Sequence, residues 1–129
     1  MNGYLADTSI WIDYFNKKKE SSQIQIFRTL LESEARICIC PVVYQEILQG
    51  VRDDKEFERI KRTISVLDML DTDIITASDY AIGIYRTLRK KGLTVRKSQD
   101  CLVAAYAMLE NLILLHNDRD FDTIYDNFS

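Results

Sequence analysis

The sequence predicts an α/β domain: a short, mainly parallel central sheet flanked by helices. Three observations predict it. Apolar runs at 3–6, 36–40 and 112–115 have the length of strands. The longer stretches between them carry apolar residues at helical spacing. Only Pro41 and four glycines interrupt the chain, with no linker, low-complexity tract or repeat. Strands that alternate with helices are joined by crossovers, and crossovers favour parallel pairing.

Each element has its own justification. GYLA (3–6) is a first strand that ends at Asp7. Ser9 is expected to cap a helix with Ile10, Trp11, Tyr14 and Phe15 on one side. Ile24, Phe27, Leu30 and Leu31 follow helical spacing. RICIC (36–40) is apolar apart from Arg36, as suits a strand buried on both faces. Pro41 fits the first turn of the next helix and Gly50 its end. Phe57, Ile60, Ile64 and Leu67 make another helical stripe. Ile74 and Ile75 are expected to form a brief strand. Thr76 or Ser78 then opens a helix with Ala81, Ile84, Tyr85 and Leu88, closed by Gly92. Ser98 is expected to cap a helix carrying Leu102, Val103, Tyr106 and Leu109. LILL (112–115) is the last strand, and a closing helix follows it.

Size and composition narrow the function. The 129 residues suffice for one domain, 1–129, with 47% hydrophobic and 29% charged residues. No apolar stretch approaches the roughly 18 residues that span a bilayer. The N-terminus lacks a basic segment followed by an apolar one. Three cysteines, Cys38, Cys40 and Cys101, are an odd number, which points to reduced thiols and a cytoplasmic setting. Without a C-x-x-C, and with His116 as the one histidine, zinc and His-dependent triads are disfavoured. The net charge of −3 argues against holding nucleic acid by bulk charge. Residues 81–99 are nevertheless free of acids and contain Arg86, Arg89, Lys90, Lys91, Arg96 and Lys97. Lys17, Lys18 and Lys19 read as a basic loop.

The acids carry the chemistry. Asp7 ends the first strand, Asp118 follows the last, and Asp100 lies in the first turn of its helix. Glu46 stands five residues past Pro41, about 7.5 Å along the helix axis. In a parallel sheet, strand ends and the starts of the following helices share one edge, where ligands bind. Each acid alone has a plain reading: a cap for Asp7, a dipole partner for Asp100, an exposed face for Glu46, turn formers for Asp118 and Asp120. Jointly they differ. Glu46 in VVYQEIL and Asp100 in QDCLVAA lie among apolar neighbours, where an unpaired carboxylate is costly. A divalent cation removes both that cost and the mutual repulsion. Oxygen-only ligands select Mg²⁺ or Mn²⁺. Such an ion polarises a phosphate and acidifies a bound water, which matches phosphodiester hydrolysis without a histidine base.

The stretch LADTSIWIDYF, a helical Glu46, then GLTVRKSQDCLVAAYA and LLHNDRDFDTI together resemble the PIN-domain ribonucleases, and among them the VapC toxins of bacterial toxin–antitoxin pairs. The likeness runs from about residue 3 to about residue 125. It implies a Mg²⁺- or Mn²⁺-dependent endoribonuclease with Asp7, Glu46, Asp100 and Asp118 as the acidic site. Asp7 and Asp100 would be the direct metal ligands. Glu46 and Asp118 would complete the cluster, directly or through waters, and Ser9 would brace it by hydrogen bonds. Asp120 is an alternative or supporting acid, because the family varies at that place. Arg96 and Lys97 would hold a flanking phosphate of the RNA. The resemblance also implies a homodimer and a small cognate antitoxin whose tail covers the site. The chain stops at Ser129, so a final edge strand often seen in the family would be short or missing. Two other readings compete: an RNA-processing nuclease of the same fold without a toxin role, and a receiver-like phospho-acceptor module. The second would require paired acids after the first strand, where only Asp7 stands. A non-catalytic module binding basic peptides is a further class, which an activity assay separates.

Overall fold

The structure is a computed structural model and describes residues 3–17 and 20–128. Lys18 and Lys19 of the basic loop lie outside the described residues. The element order is β1 (Tyr4–Ala6), α1 (Thr8–Asn16), α2 (Ser22–Leu31), β2 (Ile37–Ile39), α3 (Pro41–Gln49), α4 (Asp54–Ser65), β3 (Asp68–Met69), α5 (Ile74–Lys90), α6 (Gln99–Leu109), β4 (Ile113–Leu115) and α7 (Arg119–Asn127). The four strands pair in the order β3-β2-β1-β4, every pair parallel. The α/β expectation is met.

Register places the acids. Ala6 pairs with Leu115, so β1 and β4 end level, and the Asp7 N–H donates to the Leu115 carbonyl at 2.9 Å. The chain leaves β1 toward β2 on one side, whereas β4 returns to the other. Their shared carboxyl end is therefore the switch point of the sheet, the crevice where open α/β sheets bind ligands. Leu5, Ala6, Ile39, Cys38 and Cys40 are fully buried, as both faces of the sheet are covered by helices. Burial pushes the Cys40 thiol up to about 11, so it packs as a small apolar residue. Trp11 is fully buried against Phe15 and Phe27, which makes it a core residue.

Gly3 sets the start of β1. Its φ is +123°, and a Cβ there would stand 2.6 Å from the Arg36 carbonyl oxygen. That oxygen accepts from the Tyr4 N–H at 2.9 Å, while the Gly3 carbonyl accepts from Ile113. A side chain at this position would push apart β1 and β2 at the point where pairing begins.

Several local expectations are corrected. Asp7, not Ser9, caps α1: its backbone is extended and its carboxylate accepts from the Ser9 N–H. Ile74 and Ile75 are not a strand. They open α5, capped by Asp73, and both are exposed. The third strand is Asp68–Met69 instead, immediately after α4, which ends at Ser65 and leaves Leu67 outside the helix. Ser98 precedes α6 with helical dihedrals and makes no side-chain cap bond.

Candidate active site

Three chain segments meet at the carboxyl end of β1 and β4. The turn after β1 brings Asp7 and Ser9, the first turn of α6 with the residues before it brings Arg96, Lys97 and Asp100, and the β4–α7 turn brings Asp118 and Asp120. Asp100, Asp118 and Asp120 each offer an oxygen, and these oxygens lie within 4.8 Å of one another. Asp7, Asp100 and Asp120 are 7%, 5% and 8% exposed, the three buried charged residues among those described.

Asp100 is the most strained electrostatically. One of its carboxylate oxygens, Oδ2, is buried and has no hydrogen-bond partner. Burial pushes its pKa up to about 7, the negative charge of Asp7 adds to the rise, Lys97 opposes it, and Asp118 and Asp120 add further repulsion. A fold has no use for such a group by itself. Asp118 goes the other way. Its Oδ1 accepts the Asp120 N–H at 2.9 Å as the cap of α7, and the Arg96 guanidinium donates to the same oxygen at 3.1 Å. These bonds hold Asp118 below the usual carboxylate range.

Asp7 is fixed by the Ser9 hydroxyl, which donates to its Oδ2 at 2.8 Å. This is the bracing contact expected of Ser9. Glu46 is half-buried in α3, and the Thr8 hydroxyl donates to its Oε1 at 2.7 Å. The structure thus gathers Asp100, Asp118 and Asp120 into one cluster, sets Asp7 close enough to raise Asp100, and ties Glu46 to the residue next to Asp7. Asp118 and Asp120, alternatives in the sequence, are both present in the cluster.

Arg96, expected to hold a phosphate of the substrate, here contacts two acids of the cluster. Its side chain is 71% exposed, yet it reaches Asp118, and its Nε lies 3.5 Å from Asp120 Oδ2. Its backbone N–H donates to that same Asp120 oxygen at 3.0 Å. Lys97 remains exposed beside Asp100. Two further contacts escape sequence reasoning. Thr8 meets Glu46 across 38 positions, so no local pattern announces it. His116 Nδ1 accepts the Asp118 N–H at 3.3 Å while its ring packs on Phe121, an arrangement made by the turn. An open groove of about 410 Å³, lined by Ser22, Gln23, His116, Asn117, Asp118 and Arg119, runs beside the cluster.

The donor set consists of carboxylate oxygens alone, which fits a hard divalent cation. The unpartnered Asp100 oxygen is the observation that such an ion answers. No helix is long and apolar enough to cross a membrane among the described residues.

Residues 4–127 match the family model described as the PIN domain. Ribonuclease VapC11 of Mycobacterium tuberculosis is 38% identical over 120 residues, covering 93% of this chain and 90% of that protein. The fold is similar to VapBC2 from Rickettsia felis bound to a promoter DNA fragment, with a TM-score of 0.73 and 23% identity over 92% of this chain and 90% of that one. DNA-bound VapBC from Salmonella typhimurium gives a TM-score of 0.69 and 26% identity over 95% and 92%.

Proposed function

The chain belongs to the PIN-domain family, and from that membership we propose that it is the toxin of a toxin–antitoxin pair, an endoribonuclease that hydrolyses RNA phosphodiester bonds. The observation that carries the chemistry is the buried Asp100 carboxylate, whose Oδ2 has no hydrogen-bond partner and which offers an oxygen within 4.8 Å of oxygens of Asp118 and Asp120. The match over residues 4–127 supports one domain over 1–129 and leaves no place for the receiver-like alternative. The 38% identity to a ribonuclease favours RNA as the substrate. The VapBC assemblies among the structural neighbours favour a small antitoxin as the partner.

Asp100, Asp118 and Asp7 are the ligands we assign, with Asp120 supporting Asp118 and Glu46 orienting the water that attacks. A bound Mg²⁺ or Mn²⁺ supplies neutralising charge and lowers the pKa of a coordinated water. Asp100, pushed up to about 7, would have to be ionised to hold the cation, so cation affinity should rise through neutral pH. Ser9 keeps Asp7 from turning away. Thr8 keeps the Glu46 carboxylate aimed at the same edge. Lys97, exposed beside Asp100, attracts the phosphate that the acids alone would repel. A homodimer in the cytoplasm completes the reading, and sedimentation of the purified chain checks its dimeric part.

The test is brief expression in a bacterial host, with cleavage sites mapped in total RNA, followed by assays of the purified protein. Growth arrest and discrete cuts are expected, with cleavage restored to the EDTA-treated protein by Mg²⁺ or Mn²⁺. Asp100→Asn should remove both arrest and cutting while the far-ultraviolet spectrum stays the same. Full cleavage in EDTA would sink the metal-dependent mechanism, and discrete cuts without growth arrest would favour an RNA-processing role.

A further inference from the structure

We propose that Arg96 is a built-in counter-ion of Asp118 and Asp120 that competes with the divalent cation for Asp118 and, once released, turns to the RNA. The inference rests on the reading of the acids as a metal site, and deepens it. Arg96 is held in two separate ways. Its backbone N–H is anchored on Asp120 Oδ2 at 3.0 Å. Its guanidinium rests on the acids, at 3.1 Å from Asp118 Oδ1 and 3.5 Å from Asp120 Oδ2. The root is fixed by a part-buried bond, whereas the head is 71% exposed and has solvent on its outer side. A side chain so held can swing without moving the loop that carries it.

The electrostatics give the swing a direction. Three acids offering oxygens within 4.8 Å repel one another, and Arg96 is the arginine that the structure places against two of them. Asp118 and Asp120 in turn raise the guanidinium pKa. The exposed pair is a weak, screened interaction, so it can be given up. When a divalent cation takes the Asp118 oxygen, the guanidinium loses the nearer of its two partners, the one it hydrogen-bonds at 3.1 Å, while its backbone anchor on Asp120 remains. The nearest new anion is then the phosphate of an RNA lying over the site, for which a planar guanidinium is suited. Arg96 thereby keeps the acids together before loading and adds a substrate contact after it. It is a positioning residue in the first state and a binding residue in the second.

The two states predict effects of opposite sign from one substitution. In Arg96→Gln the backbone bond to Asp120 is retained and the competitor is gone. Mn²⁺ titrated into the metal-free protein, followed by calorimetry, should bind roughly two- to fivefold tighter, the span an exposed ion pair covers. Cleavage of an oligoribonucleotide carrying a mapped site, at saturating Mn²⁺, should show KM raised about tenfold, with kcat changed far less. Arg96→Lys should fall between the two in both measurements. If Arg96 only holds its loop in shape, Mn²⁺ binding weakens together with RNA cleavage, and the proposal is overturned. Unchanged Mn²⁺ affinity overturns it as well. If the unaltered protein takes up no Mn²⁺ at all, the metal-site reading falls and this inference falls with it.

Discussion

The Thr8 hydroxyl donates to Glu46 Oε1 at 2.7 Å and so joins the first turn of α1 to the middle of α3. Thr8 is flanked by Asp7, which caps the helix, and Ser9, which braces Asp7. One tripeptide therefore orients two acids of the proposed site. Thr8→Val keeps the shape and removes the donor. It should lower kcat by roughly ten- to a hundredfold, the usual effect of a misplaced group near the chemistry. Thr8→Ser should restore most of the loss. Equal activity of the valine and serine forms would remove Glu46 from the mechanism.

Gly3→Ala is expected to destabilise the fold by about 2 kcal/mol or more, since a Cβ at φ +123° meets the Arg36 carbonyl oxygen at 2.6 Å. Urea unfolding should show a lower midpoint with an unchanged slope. Because the clash falls where β1 starts to pair with β2, cleavage should fall too, through displacement of Asp7. An alanine form as stable as the natural chain would show that the strand start can shift freely.

What could be read in the sequence follows from what is local. The apolar run RICIC and the stripe of Phe57, Ile60 and Ile64 announce a strand and a helix because burial imposes their periods. The acids Asp7, Asp100 and Asp118 could be placed because each lies within three residues of a strand end or a helix start. Caps were less legible. Ser9 and Asp7 are both good cap residues, and only the extended backbone at Asp7 decides between them. The β-branched pair Ile74–Ile75 suggests a strand, yet Asp73 caps a helix of 17 residues that absorbs both. The true third strand, Asp68–Met69, is two residues long and exposed at both positions, so it lacks a buried apolar run. Its place is held by pairing with β2 and by the Arg36–Asp68 ion pair, which are tertiary facts. The same limit applies at the site. The sequence supplies the carboxylates, but it does not say that Arg96 reaches two of them or that Thr8 reaches Glu46.

His116 supports the turn that carries Asp118. Its Nδ1 accepts the Asp118 N–H at 3.3 Å, and its ring lies 5.0 Å from that of Phe121. His116→Ala should loosen the turn and reduce kcat several-fold. His116→Asn, with an amide oxygen able to stand where Nδ1 does, should recover part of the activity. Rescue by asparagine but not by leucine would identify the acceptor as what matters. Rescue by leucine and not by asparagine would assign the effect to packing on Phe121.

Asp100 ties stability to pH in a direction that can be stated in advance. In the folded, metal-free protein its pKa is pushed up to about 7, first by burial and then by Asp7. In the unfolded chain it returns to the ordinary carboxylate range, about 3.9. Between these values the native state holds a proton that the unfolded chain has released. Stability from this group therefore falls as pH rises through the window from about 4 to about 7, by at most about 1.4 kcal/mol per pH unit, and levels off above it. Asp100→Asn removes the penalty. In EDTA at pH 8 this variant should melt at a higher temperature than the natural chain, and its advantage should shrink toward pH 5. Mg²⁺ or Mn²⁺ should reverse the order at pH 8. A cation present at a hundred times its dissociation constant stabilises the natural chain by about 2.7 kcal/mol and leaves the asparagine form much less affected. Melting curves from pH 5 to 8.5, with and without the cation, measure both effects. Parallel curves for the two proteins in EDTA would mean that Asp100 is not the strained acid of the cluster, and an equal response to cation would mean that it is not a ligand.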